Sequence, residues 1–199
     1  MTEENELPAL VTMGHPFLAR PAVAVPVEEI TGDAFHERLQ VLHACMVEYM
    51  GIGIAAPQIG WWERFFLMVA NVPGEDGRTE PMVEAWINPE ITHASAERNW
   101  SWEGCLSVPG FRGWIARPVA VSVRGLNPMG EEVSRELTGY DARVFQHEFD
   151  HLEGMLFPYR AEDPRHIVTK EELENRDQWP ADWPAPKARD TPLGVVVPD

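Results

Sequence analysis

The sequence is short of cysteine, of positive charge and of long apolar runs, and each shortage closes off a class of protein. Two cysteines, Cys45 and Cys105, cannot staple a disulfide scaffold across 199 residues. Sixteen Lys and Arg stand against 32 Asp and Glu, a formal net charge of −16. Such a surface repels nucleic-acid phosphates, which argues against direct nucleic-acid specificity; a local basic patch making transient ribosome contact is still compatible with it. No stretch approaches the roughly 18 apolar residues of a membrane span. The N-terminal residues MTEENELPAL show no basic region followed by an apolar run, so no export signal is expected. These absences predict a soluble protein of the reducing cytoplasm, with no membrane partner.

What is present describes a globular chain. Hydrophobic residues make up 44% and charged residues 24%, near globular averages, and eight Trp suit aromatic walls or core. The length predicts a single domain over residues 1–199, its core at about 10–176, with a loosely attached Pro- and Trp-containing tail over 177–199. Residues 1–30 read as an irregular arm lying on that domain. Phe35, Leu39, Leu42, Met46 and Tyr49 recur at spacings of four and three, which predicts an amphipathic helix. Cys45, beside that stripe, reads as a small buried hydrophobe.

RFFLMVA (64–70) and residues 83–91 read as strands, separated by the polar loop NVPGEDGRTEP. Residues 119–125 and 131–137, joined by the turn NPMG, read as a hairpin. A second helix is expected over 141–152, and a short one over 169–175 with Thr169 as its N-cap. The fold class expected is α+β: antiparallel strands around a central metal-binding helix, with the N-terminal helix packed outside.

The strongest chemical signal is QHEFDHLEG (146–154). On a helix His147 and His151 share a face, so both imidazoles reach one ion. Glu148 lies about 100° around the axis, beside the ion, where it can shuttle a proton. Two ligands hold a catalytic metal poorly. A third is sought in Cys105, within EGCLSVPG (103–110), or, in a zinc-protease arrangement, in Glu171 or Glu172 of the charged run KEELENRD. The third constellation is GIGIAAPQIG (51–60), where Gly51 and Gly53 permit close backbone approach and Gln58 can offer an amide N–H to an oxyanion.

Taken in order, GIGIAAPQIG, EGCLSVPG and QHEFDHLEG resemble the three signature motifs of the peptide deformylases, with the weaker GHPFL (14–18) upstream; the resemblance covers roughly residues 10–165. Ile54 stands where that family usually has Leu. The resemblance implies removal of the formyl group from N-terminal formyl-methionine of nascent polypeptides, with formate released. It implies one divalent metal on Cys105, His147 and His151, Fe(II) in the cell, with Zn, Ni or Co also accepted. It makes Glu148 the catalytic carboxylate, and Gln58 with the Leu106 N–H the groups that meet the formyl oxygen.

For the N-formyl-Met peptide, the resemblance implies a methionine pocket including Tyr140 and Val144, and extended pairing along Gly51, Ile52 and Gly53. Arg112 and Arg143 are candidates to meet a substrate carbonyl or to pair with Glu103 or Asp150. Asp150 is alternatively a group that orients a ligand histidine. A zinc endopeptidase and a catalytically silent, metal-binding relative are the competing readings.

Overall fold

A computed structural model describes residues 6–73 and 79–199. The centre of the polar loop expected after the first strand, 74–78, and the first five residues of the arm lie outside the described residues. Strands β1 (Gly53–Ala55), β2 (Phe65–Pro73), β3 (Thr79–Ala94), β6 (Ala120–Leu126) and β7 (Glu132–Thr138) form a five-stranded sheet in the order β1-β2-β3-β6-β7. A second sheet holds β4 (Arg98–Cys105), β5 (Val108–Pro118), β8 (Ile167–Thr169) and β9 (Val197–Pro198), in the order β8-β5-β4-β9. All named strand pairs are antiparallel. The expected α+β architecture is therefore found. No helix among the described residues is long and apolar enough to cross a membrane.

Helix α2 (Gly139–Leu152) lies between the sheets because its two faces differ in chemistry. Ala142, Phe145 and Leu152 pack with Phe66, Met68, Trp86, Val121 and Val123 of the five-stranded sheet. Phe145 meets Phe66 and Trp86 edge-on, with centroids 5.2 and 5.1 Å away. The other face carries Arg143, His147 and Asp150, at i, i+4 and i+7, towards the second sheet.

Helix α1 (Asp33–Glu48) covers another part of the first sheet. Phe35, Leu42, Cys45 and Met46 are buried there, and Leu39 and Tyr49 pack against them at the edge. Cys45 is fully buried, which pushes its thiol up from the ordinary range. The helix closes with Gly51 N–H donating to Met46 O (2.8 Å) around Met50, whose φ is +54°. This is the usual helix-ending turn with a methionine at the left-handed position that glycine normally takes. It sends the chain directly into β1.

No sequence pattern announces strands β4 and β5, and two expectations change. The polar loop is shorter than expected, since β2 extends to Pro73 and β3 starts at Thr79. The tail is not loosely attached. Ala188 is fully buried with Trp102, Trp114 and Leu173, and Trp102 Nε1 donates to Ala188 O at 2.8 Å. Farther along, Ser101 Oγ donates to Val195 O at 2.6 Å, and β9 pairs with β4 at Asn99 and Trp100. Proline spacing hid this packing because each anchor is a single residue against a tryptophan wall, with no period for a pattern to show.

Candidate active site

The site forms where the β4–β5 turn and β1 face α2. Pairing of β4 with β5 is irregular between Glu103 and Cys105, so Gly104 sits in a bulge and Cys105 turns towards the helix. Cys105 Sγ lies 3.3 Å from His151 Nε2. The ligand atoms of Cys105, His147 and His151 all fall within 4.8 Å of one another, and among the described residues no other group of three His, Cys, Asp or Glu side chains has this arrangement. Glu171 and Glu172 are exposed on α3 (Lys170–Glu174) and are not part of it. Their carboxylates supply helix-start charge instead, with Thr169 Oγ1 accepting from Glu172 N–H as expected of an N-cap.

The donors are prepared for a cation. His147 Nδ1 is 3.0 Å from Glu103 Oε2, and since a carboxylate only accepts, Nδ1 carries the hydrogen and Nε2 is left to bind. Burial pulls the His147 imidazolium down, but hydrogen bonds and charge from Cys105 and Glu103 outweigh it and hold the ring well above the usual histidine range. His151 is held well below that range, by burial first and then by His147 and Arg117. Cys105 and Glu103 thus favour positive charge beside His147, while burial disfavours it on the His151 ring. That donor chemistry suits a divalent transition ion.

Glu148 is 4% exposed, and its Oε2 has no hydrogen-bond partner among the described groups. Burial, the largest influence, pushes its carboxyl up to about 7 against the opposing pull of His147 and Arg117. It lies against Gly53: a Cβ at residue 53 would come within 2.7 Å of the Glu148 Cδ. Glycine is needed there so that β1 can approach the carboxylate.

Gln58, 1% exposed, is fixed by its own turn. Its Oε1 accepts from Ala55 N–H at 2.8 Å, which leaves Nε2 to donate towards Ser107 Oγ (3.2 Å) and Cys105 Sγ (3.6 Å). The N-terminal arm braces both sides of this contact, Val11 N–H donating to Gln58 O and Met13 N–H to Ser107 O, each at 2.7 Å. Ser107, which no sequence signal picked out, also donates its backbone N–H to Cys105 Sγ at 3.4 Å.

A cavity of about 310 Å³ opens beside these groups. Its lining includes Cys105, His147, Glu148, Gln58 and Leu106, together with all six residues expected to bind substrate: Gly51, Ile52, Gly53, Tyr140, Val144 and Arg112. The guanidinium of Arg112 lies over Gly104. Arg143 does not meet the cavity as a free cation. Its Nη1 donates to Glu103 at 2.5 Å and its Nη2 to Asn99 Oδ1 at 2.7 Å.

Glu103 is the centre of a buried ion network that the sequence revealed only in part. Arg117, 2% exposed, donates to both Glu103 oxygens (2.6 and 2.9 Å) and to Asp150 Oδ2 (2.8 Å). Arg160 closes the far end on Asp150. Asp150 therefore pairs with arginines rather than orienting a histidine, and Glu103 takes that orienting part. Burial opposes ionisation of Glu103, but Arg117 and then His147 hold its carboxyl well below the usual range.

The sequence model of the family described as polypeptide deformylase matches residues 8–166. The chain belongs to the peptide deformylase family. It is 39% identical to a protein named peptide deformylase 2 from Nostoc sp. over 171 residues, 85% of this chain and 94% of that one. It is 42% identical to the peptide deformylase of Thermotoga neapolitana over 71% of this chain and 80% of that one. Among solved structures, the Met-Ala-Ser-bound class I type b peptide deformylase of Acinetobacter baumannii superposes with a TM-score of 0.71 at 35% identity, covering 78% of this chain and 98% of that one. The peptide deformylase of Thermotoga maritima gives 0.69 at 37%, over 79% and 99%. The deformylase match ends before the C-terminal segment that packs on the tryptophan wall.

Proposed function

We propose that the enzyme removes the N-formyl group from N-terminal formyl-methionine of newly made polypeptides and releases formate. The observation that carries the reading is the cluster of Cys105, His147 and His151 beside the buried Glu148 carboxyl, with Cys105, His147 and Glu148 opening on one cavity, in a chain of this family. On this reading the whole chain, residues 1–199, is one catalytic unit. It works in the cytoplasm on chains leaving the ribosome, whose surface it touches only transiently. The Met-Ala-Ser bound to the Acinetobacter baumannii relative supports a peptide as the ligand of the cleft.

Cys105, His147 and His151 hold one divalent ion, Fe(II) in the cell, with Zn, Ni and Co as substitutes on purification. Such an ion supplies Lewis acidity, polarising a carbonyl oxygen and acidifying water. Glu148 takes the proton from the water that attacks the formyl carbon. The same carboxyl passes that proton to the amine nitrogen as the C–N bond breaks. A residue with a carboxyl near 7 can do both at neutral pH. Gln58 Nε2, on an amide whose oxygen is held by the Ala55 N–H, and the Leu106 backbone N–H donate to the oxyanion.

The peptide is held by geometry supplied from β1, Tyr140 and Val144. β1 is a terminal strand of its sheet, so Gly53, with Gly51 and Ile52 leading into it, offers an edge to an extended backbone. Val144, buried, and Tyr140, half-exposed, are four apart on α2 and flank the methionine side chain. Arg112, which lines the same cavity, donates to a substrate carbonyl on this reading.

The test is formate release from formyl-Met-Ala-Ser by protein reconstituted anaerobically with Fe(II), with metal content measured on the same sample. The parent is expected to release formate with one ion bound per chain. Cys105→Ser is expected to bind the ion more weakly and to change the absorption of a cobalt-substituted sample. Release of formate without a bound ion, or a cobalt spectrum indifferent to Cys105→Ser, would remove the metal centre from the reading.

A further inference from the structure

The cavity has a wall from outside the family-matched span. Leu193 and Gly194 line it, although the deformylase match ends at residue 166. Residues Pro192–Val195 make a β-turn closed by Val195 N–H donating to Pro192 O (3.3 Å), with Gly194 at the third position and φ +76°. That is the signature of a type II turn, in which the second residue projects from the tip. The second residue is Leu193, 55% exposed. The turn is fixed at both ends: Thr191, buried, donates its hydroxyl to Lys187 O at 2.8 Å, and Ser101 Oγ donates to Val195 O at 2.6 Å. Across the opening stands Tyr140, whose hydroxyl would lie 3.9 Å from a Cβ at residue 194.

The rim is apolar on more than one side. Met50, Ile52, Tyr140 and Leu193 all line this cavity and all are substantially exposed, at 90, 50, 38 and 55%. Large apolar side chains gathered around one opening mark a surface that is covered when a ligand binds. The buried end of the cavity carries Glu148, Gln58 and the metal-binding cluster, so the formyl group and its methionine occupy that end. The rim is left for the second and third residues of the peptide.

We propose that the turn Pro192–Val195, with Leu193 at its tip, is an outer wall of the peptide cleft and selects formylated peptides that carry an apolar side chain beyond their methionine. The selection rests on the deformylase reading above. It adds a specificity element that the three signature motifs do not contain.

The experiment compares formyl-Met-Ala-Ser with formyl-Met-Leu-Ser and formyl-Met-Ala-Leu, using the full chain, Leu193→Ser, and a chain ending at Thr191. The full chain is expected to favour one of the leucine peptides roughly fivefold in kcat/KM, carried by KM. Both variants are expected to bring that ratio to within about twofold of unity. Circular dichroism melting shows that the variants are folded; the point substitution, on an exposed side chain, safeguards the test if the shortened chain is not. Binding of the deformylated peptides Met-Ala-Ser, Met-Leu-Ser and Met-Ala-Leu by calorimetry reads the same preference without turnover, so failure of the wall and failure of the deformylase reading are separable. A parent ratio near unity in both assays overturns the proposal. So does a uniform rise in kcat/KM on shortening with the ratios kept, which would make the turn a plain obstruction.

Discussion

Glu148→Gln is expected to keep the fold and the bound ion while losing about 10²–10⁴ in formate release, the range of a lost general acid–base. The substitution keeps the shape that packs against Gly53 and keeps polar atoms in place of the carboxyl. It removes only the ability to take and return a proton. Burial makes the outcome diagnostic, because among the described groups nothing hydrogen-bonds to Glu148 Oε2, so a protein partner already in place cannot substitute for it. Turnover of formyl-Met-Ala-Ser, with metal content determined on the same preparation, is the measurement. An ion-replete variant within tenfold of the parent would take the proton transfer away from Glu148.

Arg117→Met is expected to cost about 3–5 kcal/mol of folding stability, the penalty for leaving buried charge unpaired. The methionine fills similar space and makes none of the contacts. Glu103 then retains Arg143 and His147, and Asp150 retains Arg160, but the guanidinium that joins the two carboxylates is gone. Urea unfolding of parent and variant at the same metal occupancy measures the loss. A change below about 1 kcal/mol would mean that solvent reaches this network and screens it. Metal affinity is expected to fall as well, because Glu103 both accepts from Arg117 and orients His147.

The elements legible in the sequence were those with a strong period. The stripe from Phe35 to Tyr49 marked α1, and the two histidines four apart marked both α2 and the metal-binding face. Residues 119–125 and 131–137 with NPMG between them marked the β6–β7 hairpin. Strands β4 and β5 stayed hidden because they bury charge: Glu103 and Arg117 break the apolar alternation that announces a strand, and their reason for being inside lies on another element. Arg117 pairs with residues 14 and 33 positions away, a distance no local pattern reports. Gln58 could be chosen from its motif, but its orientation could not, since that depends on the Ala55 N–H and on Ser107 across the site. The turn carrying Leu193 left no signal either. It matters only because the tail packs back over Trp102, and the sequence suggested that the tail did not.

The polar face of α2 also decides how the helix is seated. Its apolar face alone would accept a rotated or shifted placement, since Phe145, Phe149 and Leu152 offer broad, similar surface to the first sheet. The ionic partners do not allow that freedom: a slip of one residue would carry Arg143, His147 and Asp150 away from Glu103 and Arg117 together. The expected consequence is discrimination between near-equal packings rather than added strength. Replacing the network by well-fitted apolar residues would then leave the melting temperature unchanged or higher, but broaden the amide resonances of α2 as the helix samples more than one register.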